Sequence, residues 1–338
     1  MTYRRPCFSA LLTAVSLMLA AGCSGGGGSQ AQGPLEKTDL TVAVVPTTDS
    51  TGFYVALHDN LFAQQGLHVK YVPAISAESV INQEALGQID IVGGNYVSDI
   101  EAQNNYNRGI RATSQAGQIA ANLDVFAEAS VMQPDFVGLF TPPGSPINRV
   151  ADLKGKTIGI NAPGNVAYLL VASFLKQHGM QPGSVHFKYF PFPFMAQMLM
   201  EHKMDVAFLA EPFISIAEEA VGVTELTNLD QGASENFPIQ GYSVTKEFAA
   251  RYPNTLAAFK RALEQGQEIA DTNRGAAEQA TAAFKASDGV SPQIAAVITF
   301  ESYPLGAVDS VRLQRVADDM RQFGLLKTSF NIRQIVGG

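Results

Sequence analysis

The chain has 338 residues, a formal net charge of −8, and 46 % hydrophobic against 16 % charged residues. That is enough apolar material for two domains with their own cores, and the acidic balance excludes a nucleic-acid grip or a polybasic hold on anionic lipid. The two cysteines are Cys7 and Cys23, and the five histidines (His58, His68, His178, His186, His202) show no HxH or HExxH spacing, so no metal site and no cofactor are expected.

The first segment reads as an export leader. Arg4 and Arg5 form a basic start, and residues 8–21 form an apolar run too short to span a bilayer comfortably. Small residues then precede a cysteine: Leu19-Ala20-Ala21-Gly22-Cys23. This resembles the lipobox of bacterial lipoproteins, whose cysteine takes a diacylglycerol and becomes the mature N-terminus. The resemblance implies a signal peptide over 1–22, lipidation at Cys23 and a flexible tether over 23–37, rich in Gly and Ser. Ala20 stands where such lipoboxes often carry leucine, and a plain secretory signal cleaved near Ala21, or a signal anchor, would share the same basic and apolar regions. Cys7 falls in the removed segment, so the folded part has neither a disulfide nor a thiol nucleophile. No later apolar run reaches the roughly 18 residues of a spanning helix.

From Thr38 onward β-rich runs alternate with helical patterns. The sequence predicts strands over 40–45, 68–72 and 89–92, the last stopped by Gly93-Gly94, with helices over 52–64 and from an N-cap at Ser76 to about Leu86. This order implies a parallel sheet with right-handed crossovers. A similar unit starts near residue 150, with strands over 157–160, 185–189 and 205–209. Its helices are expected over 165–177 and 194–202, with a third beginning near Glu211. Extended joins at 136–140 and 241–244 connect the halves. The remainder is helical, with stripes at Leu256, Phe259, Leu263 and Ile269, then Val311, Val316 and Phe323. The expected architecture is therefore α/β: lobe one from 38–136 plus 241–338, lobe two from 137–240, a hinge of two crossings, and the C-terminal helices packed on lobe one.

In open α/β sheets ligands bind outside the carboxyl ends of the strands. That rule selects residues 46–52, 74–76 and 93–96 in lobe one and 161–168, 190–194 and 210–213 in lobe two. Several of these loops enter helix N-termini, which favour acceptor-rich or anionic groups. Asp49, set among Thr47, Thr48, Ser50 and Thr51, and Glu211, before Pro212-Phe213, are the two acids; if both face the cleft they suit an amine- or amidine-like edge. Each serves equally well as a local helix acid. Phe53, Tyr96, Tyr168, Phe192, Phe194 and Phe213 are candidates for an aromatic wall, or for ordinary core.

Four stretches carry a family resemblance: PTTDSTGFYVALHDNLFAQQGLHVKYV, GQIDIVGGNY, VADLKGKTIGINAPGN and MDVAFLAEPF. Over roughly residues 38–325 the chain resembles the ABC-importer substrate-binding proteins for nitrate, sulfonates, taurine and thiamine-pyrimidine precursors. The resemblance implies a type II periplasmic-binding-protein fold that closes on one small ligand and presents it to a permease and its ATPase. By matching positions it implies ligand contacts at Thr48, Asp49, Ser50, Phe53, Asn95, Tyr96, Gly164, Asn165, Tyr168, Glu211 and Phe213. Some relatives carry a tryptophan where this chain has Ala210, which is expected to widen the pocket. The pyrimidine-synthesising branch of the family needs a cysteine-rich segment that this chain lacks.

The leading expectation is a lipid-anchored, monomeric, extracytoplasmic binding protein, on the cell surface or in the periplasm, without enzymatic activity. Organosulfonates, taurine or nitrate rank slightly ahead of thiamine-pyrimidine precursors as ligand. An extracytoplasmic enzyme with Asp49 and Glu211 as acid and base, and a sensor lobe reporting to a membrane partner, are the other readings.

Overall fold

The computed structural model describes Met1 and residues 33–113, 118–283 and 290–336. The leader and Cys23 lie outside the described residues. From Pro34 the chain opens with β1 (Asp39–Val44), α1 (Thr51–His58), α2 (Leu61–Gln64), β2 (His68–Pro73), α3 (Glu78–Ala85), β3 (Ile91–Asn95), α4 (Tyr96–Asn107) and β4 (Leu123–Val131). It then runs through β5 (Val137–Thr141), β6 (Thr157–Ile160), α5 (Val166–Gln177), β7 (His186–Tyr189), α6 (Phe192–Met200), β8 (Val206–Ala210), α7 (Phe213–Val221) and β9 (Thr224–Asn228). The last part is β10 (Pro238–Thr245), α8 (Lys246–Arg251), α9 (Pro253–Thr272), α10 (Arg274–Ala283), α11 (Pro292–Val297) and α12 (Ser310–Gln322).

Two five-stranded sheets result, in the orders β2-β1-β3-β10-β4 and β7-β6-β8-β5-β9. In each, the first three strands are parallel, the fourth runs antiparallel to both its neighbours, and the fifth runs in the direction of the first three. The expected parallel sheets are thus half of the answer. The antiparallel strands come from the joins: β5 enters the second sheet beside β8, and β10 returns to the first sheet between β3 and β4. The parts built on the two sheets are lobe one and lobe two, and the chain passes between them twice.

Several local expectations are corrected by packing. The helix expected over 52–64 breaks at Asn60, which adopts φ 58, a left-handed conformation that asparagine tolerates. Gly93 and Gly94 do not stop β3; they lie inside it. A Cβ at Gly93 would lie 2.5 Å from Val44 Cγ1, and one at Gly94 2.8 Å from Ala77 Cβ, so glycine is what lets neighbouring elements approach. Ser76 does not cap α3. Ala77 holds the cap position, and Ser79 Oγ instead bonds back to the Ser76 backbone. Val311, expected on an apolar stripe, is 81 % exposed, while Leu313, Val316 and Met320 form the buried face of α12.

The lobe-one core gathers Phe53, Phe62, Phe126, Tyr242 and Phe259, with Phe62 and Phe259 stacked at 4.7 Å. α9 lies against α1 so closely that a Cβ at Gly266 would sit 2.2 Å from the Gly52 carbonyl oxygen. The buried face of α12 shares a core with α4 and with lobe two, and the Arg312 guanidinium grips the buried Glu128 carboxylate of β4 through two contacts of 2.8 Å. Among the described residues no helix is long and apolar enough to cross a membrane.

Gly266→Ala should therefore separate α1 from α9. A loss of about 1–3 kcal/mol is expected from overpacking, measured as a lower urea midpoint at unchanged slope; an unchanged midpoint would mean the two helices part without cost.

Candidate ligand-binding cleft

The carboxyl ends of the central strands of both sheets meet at one cavity of about 40 Å³. Lobe one contributes Val45, Thr47 and Asp49 after β1, Asn95 at the end of β3, and Ile239 and Gln240 of β10. Lobe two contributes Asn161 after β6, Val166 at the start of α5, Phe192 of α6, and Phe208 and Ala210 of β8. Phe136 and Val137 close it from the first crossing. The volume exceeds the ~10–15 Å³ that one water needs and falls well short of the ~300 Å³ of an ordinary ligand pocket. Ala210 lines the cavity together with the rings of Phe136, Phe192 and Phe208.

Asp49 is the one ionisable side chain lining this cavity among the described residues. It sits in the short 3₁₀ turn Thr48–Ser50 that leads into α1. It is 7 % exposed and accepts from Thr47 Oγ1 at 2.7 Å and Ser130 Oγ at 2.6 Å. Burial pushes its carboxyl above the usual range, and the two hydroxyls work against that rise. Neighbouring amides are committed locally. Gln240 Nε2 donates to Ser50 Oγ at 2.8 Å. Asn95 caps α4, its Oδ1 accepting from Ser98 N at 3.0 Å. Asn165 caps α5 by accepting from Ala167 N and Tyr168 N, and its Nδ2 donates to the cavity-lining Asn161 at 2.8 Å.

Other expected contacts lie elsewhere. Phe53 and Tyr96 are wholly buried in the cores and do not line this cavity. Tyr168 packs on Phe187 at 5.0 Å, and Phe194 is largely exposed. Phe213 stacks on Phe192 at 5.2 Å, so it braces a cavity wall without reaching the cavity. Gly164 turns the chain into α5 at φ +64, where an added side chain would approach Glu101 and Leu325. Thr48 directs its hydroxyl to Glu301 Oε1 at 3.1 Å.

Glu211 lies at the junction of the lobes. Its backbone joins the lobes: the carbonyl accepts from Thr48 N at 3.1 Å, and its N–H donates to Phe136 O at 3.1 Å. Its side chain turns away from Asp49 and accepts from Ser215 Oγ at 2.8 Å, Ser215 N at 3.2 Å and Thr299 N at 3.4 Å. There it lines a separate cavity of about 150 Å³ with Asp135, Glu218 and Glu225. The facing acid–base pair that an enzyme reading requires is therefore not present. Phe136, Ser130, Gln240 and Glu301 went unread in the sequence. They lie on crossing or antiparallel segments and on a C-terminal link, where no motif or period marks them.

With the geometry in place, relatives are informative. Residues 47–277 match the model of the family described as NMT1/THI5 like. The chain belongs to that family. A putative ABC transporter periplasmic binding protein of Brachyspira hyodysenteriae is 27 % identical over 226 residues, covering 66 % of this chain and 63 % of that protein. The match thus spans just under two thirds of that relative's length. The alkanesulfonate-binding protein SsuA from Xanthomonas axonopodis pv. citri, bound to MOPS, superposes with a TM-score of 0.72 at 17 % identity, over 90 % of this chain and 99 % of its own. The nitrate-binding protein NrtA from Synechocystis PCC 6803 superposes with a TM-score of 0.72 at 15 % identity, over 90 % and 87 %. These two likenesses establish the periplasmic-binding-protein fold.

Burial pushes the Glu211 carboxyl from its ordinary 4.5 to about 7. A group raised in this way stabilises the fold while protonated, fully below 4.5, and the contribution is lost as pH rises through about 7. The unfolding midpoint of the wild type should therefore fall between pH 4.5 and 7 relative to Glu211→Gln. Parallel melting curves for the two proteins across that window would remove Glu211 as the source.

Proposed function

We propose that this chain is the substrate-binding protein of an ABC importer, lipid-anchored at Cys23 on the extracytoplasmic face and working as a monomer with a permease and its ATPase. Family membership, the Brachyspira relative and the fold support the importer reading, and the Leu19–Cys23 pattern supports the anchor. The lobes, 38–136 plus 241–338 and 137–240, move about the two crossings and close on one small ligand, with closure driven by contacts made to both lobes. A binding protein of this kind needs no general base and no cofactor.

The ligand we favour is a small amine- or amidine-bearing molecule, such as an aminopyrimidine precursor of thiamine. One observation carries this choice: Asp49 is the one ionisable side chain lining the cavity among the described residues, beside phenylalanine rings. A sulfonate or nitrate there would meet a like charge in a poorly screened setting with no Lys, Arg or His among the described lining residues to offset it. The opposing reading, an organosulfonate or nitrate, draws on the α4 and α5 N-termini beside the cavity. It is weakened because Asn95 and Asn165 already accept from the backbone N–H groups of those first turns.

A thermal-shift screen of residues 24–338 separates the two. The panel is 4-aminopyrimidine, 4-amino-5-hydroxymethyl-2-methylpyrimidine, methylguanidinium, taurine, methanesulfonate and nitrate. A ligand at 100 times its dissociation constant adds about 2.7 kcal/mol of stability. Stabilisation by the amino compounds that disappears in Asp49→Asn is the expected result. Stabilisation by methanesulfonate or nitrate that survives or grows in Asp49→Asn would overturn the ligand choice and keep the importer reading.

A further inference from the structure

Helix α12 touches both of the segments that join the lobes. Arg312 and Arg315 stand one turn apart on it. Arg312 Nη2 donates to both Glu128 carboxyl oxygens at 2.8 Å, on the part of β4 that runs into the first crossing, 132–136. Arg315 donates from Nη1 and Nη2 to the Glu235 carbonyl at 3.1 Å, and from Nη2 to the Ala233 carbonyl. Its guanidinium also lies 5.3 Å from the centre of the Phe237 ring. Those three residues belong to the second crossing, 229–237. The crossings meet each other as well, because Met132 N donates to Phe237 O at 3.0 Å.

The segment that Arg315 holds is fixed to lobe two. Ala233 N donates to Gln177 Oε1 of α5 at 3.3 Å. Just past α12, the Phe323 ring faces Lys176 Nζ of α5 at 5.2 Å from its centre. The inner face of α12 places Leu313, Val316 and Met320 in one core with Ile100 of α4 and Phe237 of the second crossing. Among the described residues, none of α12 lines the ligand cavity. An arginine that donates to main-chain carbonyls restrains the backbone itself, and a planar guanidinium that also stacks on a ring does so in one orientation. Hinge motion requires backbone rotation in the joining segments, and Arg315 restrains that rotation in one of them.

We propose that α12 is a brace on the two crossings that holds the lobes shut, and that Arg315 is its releasable contact, a positioning residue that sets ligand affinity through the population of the opened form. The inference rests on the binding-protein reading above, and its test uses the amidine-like probe of that reading. Glu128 is buried and gripped by Arg312, so it is the fixed end of the brace. Arg315 is half-buried and meets carbonyls, so it is the end that yields. The cavity between the lobes measures about 40 Å³, far below the ~300 Å³ of an ordinary ligand pocket. The ligand therefore needs the lobes further apart than this arrangement sets them. A protein competent to bind for only a fraction of the time shows an affinity reduced by that fraction. Weakening the brace raises the fraction and tightens binding, whereas loss of an ordinary structural contact leaves affinity unchanged or lowers it.

The test places spin labels at Gln83→Cys on α3 and Gln197→Cys on α6 in residues 24–338, a stretch with no native cysteine. Both positions are exposed, one in each lobe. Double electron–electron resonance without ligand then reads the separation of the lobes. In Arg315→Ala the main distance should lengthen by more than about 2 Å. Gln177→Ala, which frees the held turn from α5, should lengthen it as well. The double variant should open no further than either single one, because the two contacts act in series. Gln177→Ala carries the test if Arg315→Ala does not fold. Calorimetry with methylguanidinium should show affinity raised roughly threefold or more in Arg315→Ala. An unchanged distance in both variants, or a longer distance with unchanged or weaker affinity, overturns the inference. A longer distance in a protein that binds neither methylguanidinium nor 4-aminopyrimidine, with or without Arg315, supports the brace and overturns the ligand reading instead.

Discussion

The structure depends on the insertion of β10 between β3 and β4. A strand that returns from lobe two to the middle of the lobe-one sheet cannot be released without opening two ladders. The insertion shapes the site as well. It carries Ile239 and Gln240 to the cavity, and it brings Gly241 against Tyr96, where a Cβ would lie 2.4 Å from the ring. β5 does the same in reverse, placing Phe136 and Val137 at the mouth as it enters the second sheet. Each lobe is thereby completed by a strand that the crossing delivers, so crossing and cavity wall are parts of the same segments.

Carboxyl groups are buried in this fold in three ways, with different consequences. Glu128 is gripped by the Arg312 guanidinium, which ties α12 to β4. Asp99 and Glu84 lie buried on α4 and α3; burial pushes Asp99 up to about 8, and burial, with the neighbouring Asp99 carboxyl, pushes Glu84 well up. Asp49 is the intermediate case, with enough hydroxyl donors to favour the charge and enough burial to oppose it.

The C-terminal link from α11 to α12 ties the lobes behind the cavity. Thr299 N reaches Glu211 of lobe two, while Glu301 and Tyr303 hold the Thr48 turn of lobe one. The hydrogen bond from Thr48 N to Glu211 O adds a further tie between the lobes. The same link braces the turn that presents Asp49, so the orientation of the site carboxylate and the relation between the lobes share residues.

Much of this was legible in the sequence. The strand and helix order, and the loops after β1, β3, β6 and β8 that line the cavity, follow from local periodicity and from the rule that open sheets bind at their carboxyl ends; Asp49, Asn95 and Asn161 line the cavity from those loops. The antiparallel strands were not legible, because a join and a strand look alike until a partner is present. The tertiary structure alone decided that Phe53 and Tyr96 are core, that the Glu211 side chain turns away from Asp49, and that Glu301 meets Thr48 across 253 positions. Those outcomes depend on which distant segment packs against a residue. A local pattern records a side chain's spacing along its own element, and carries no term for what the rest of the chain brings to it.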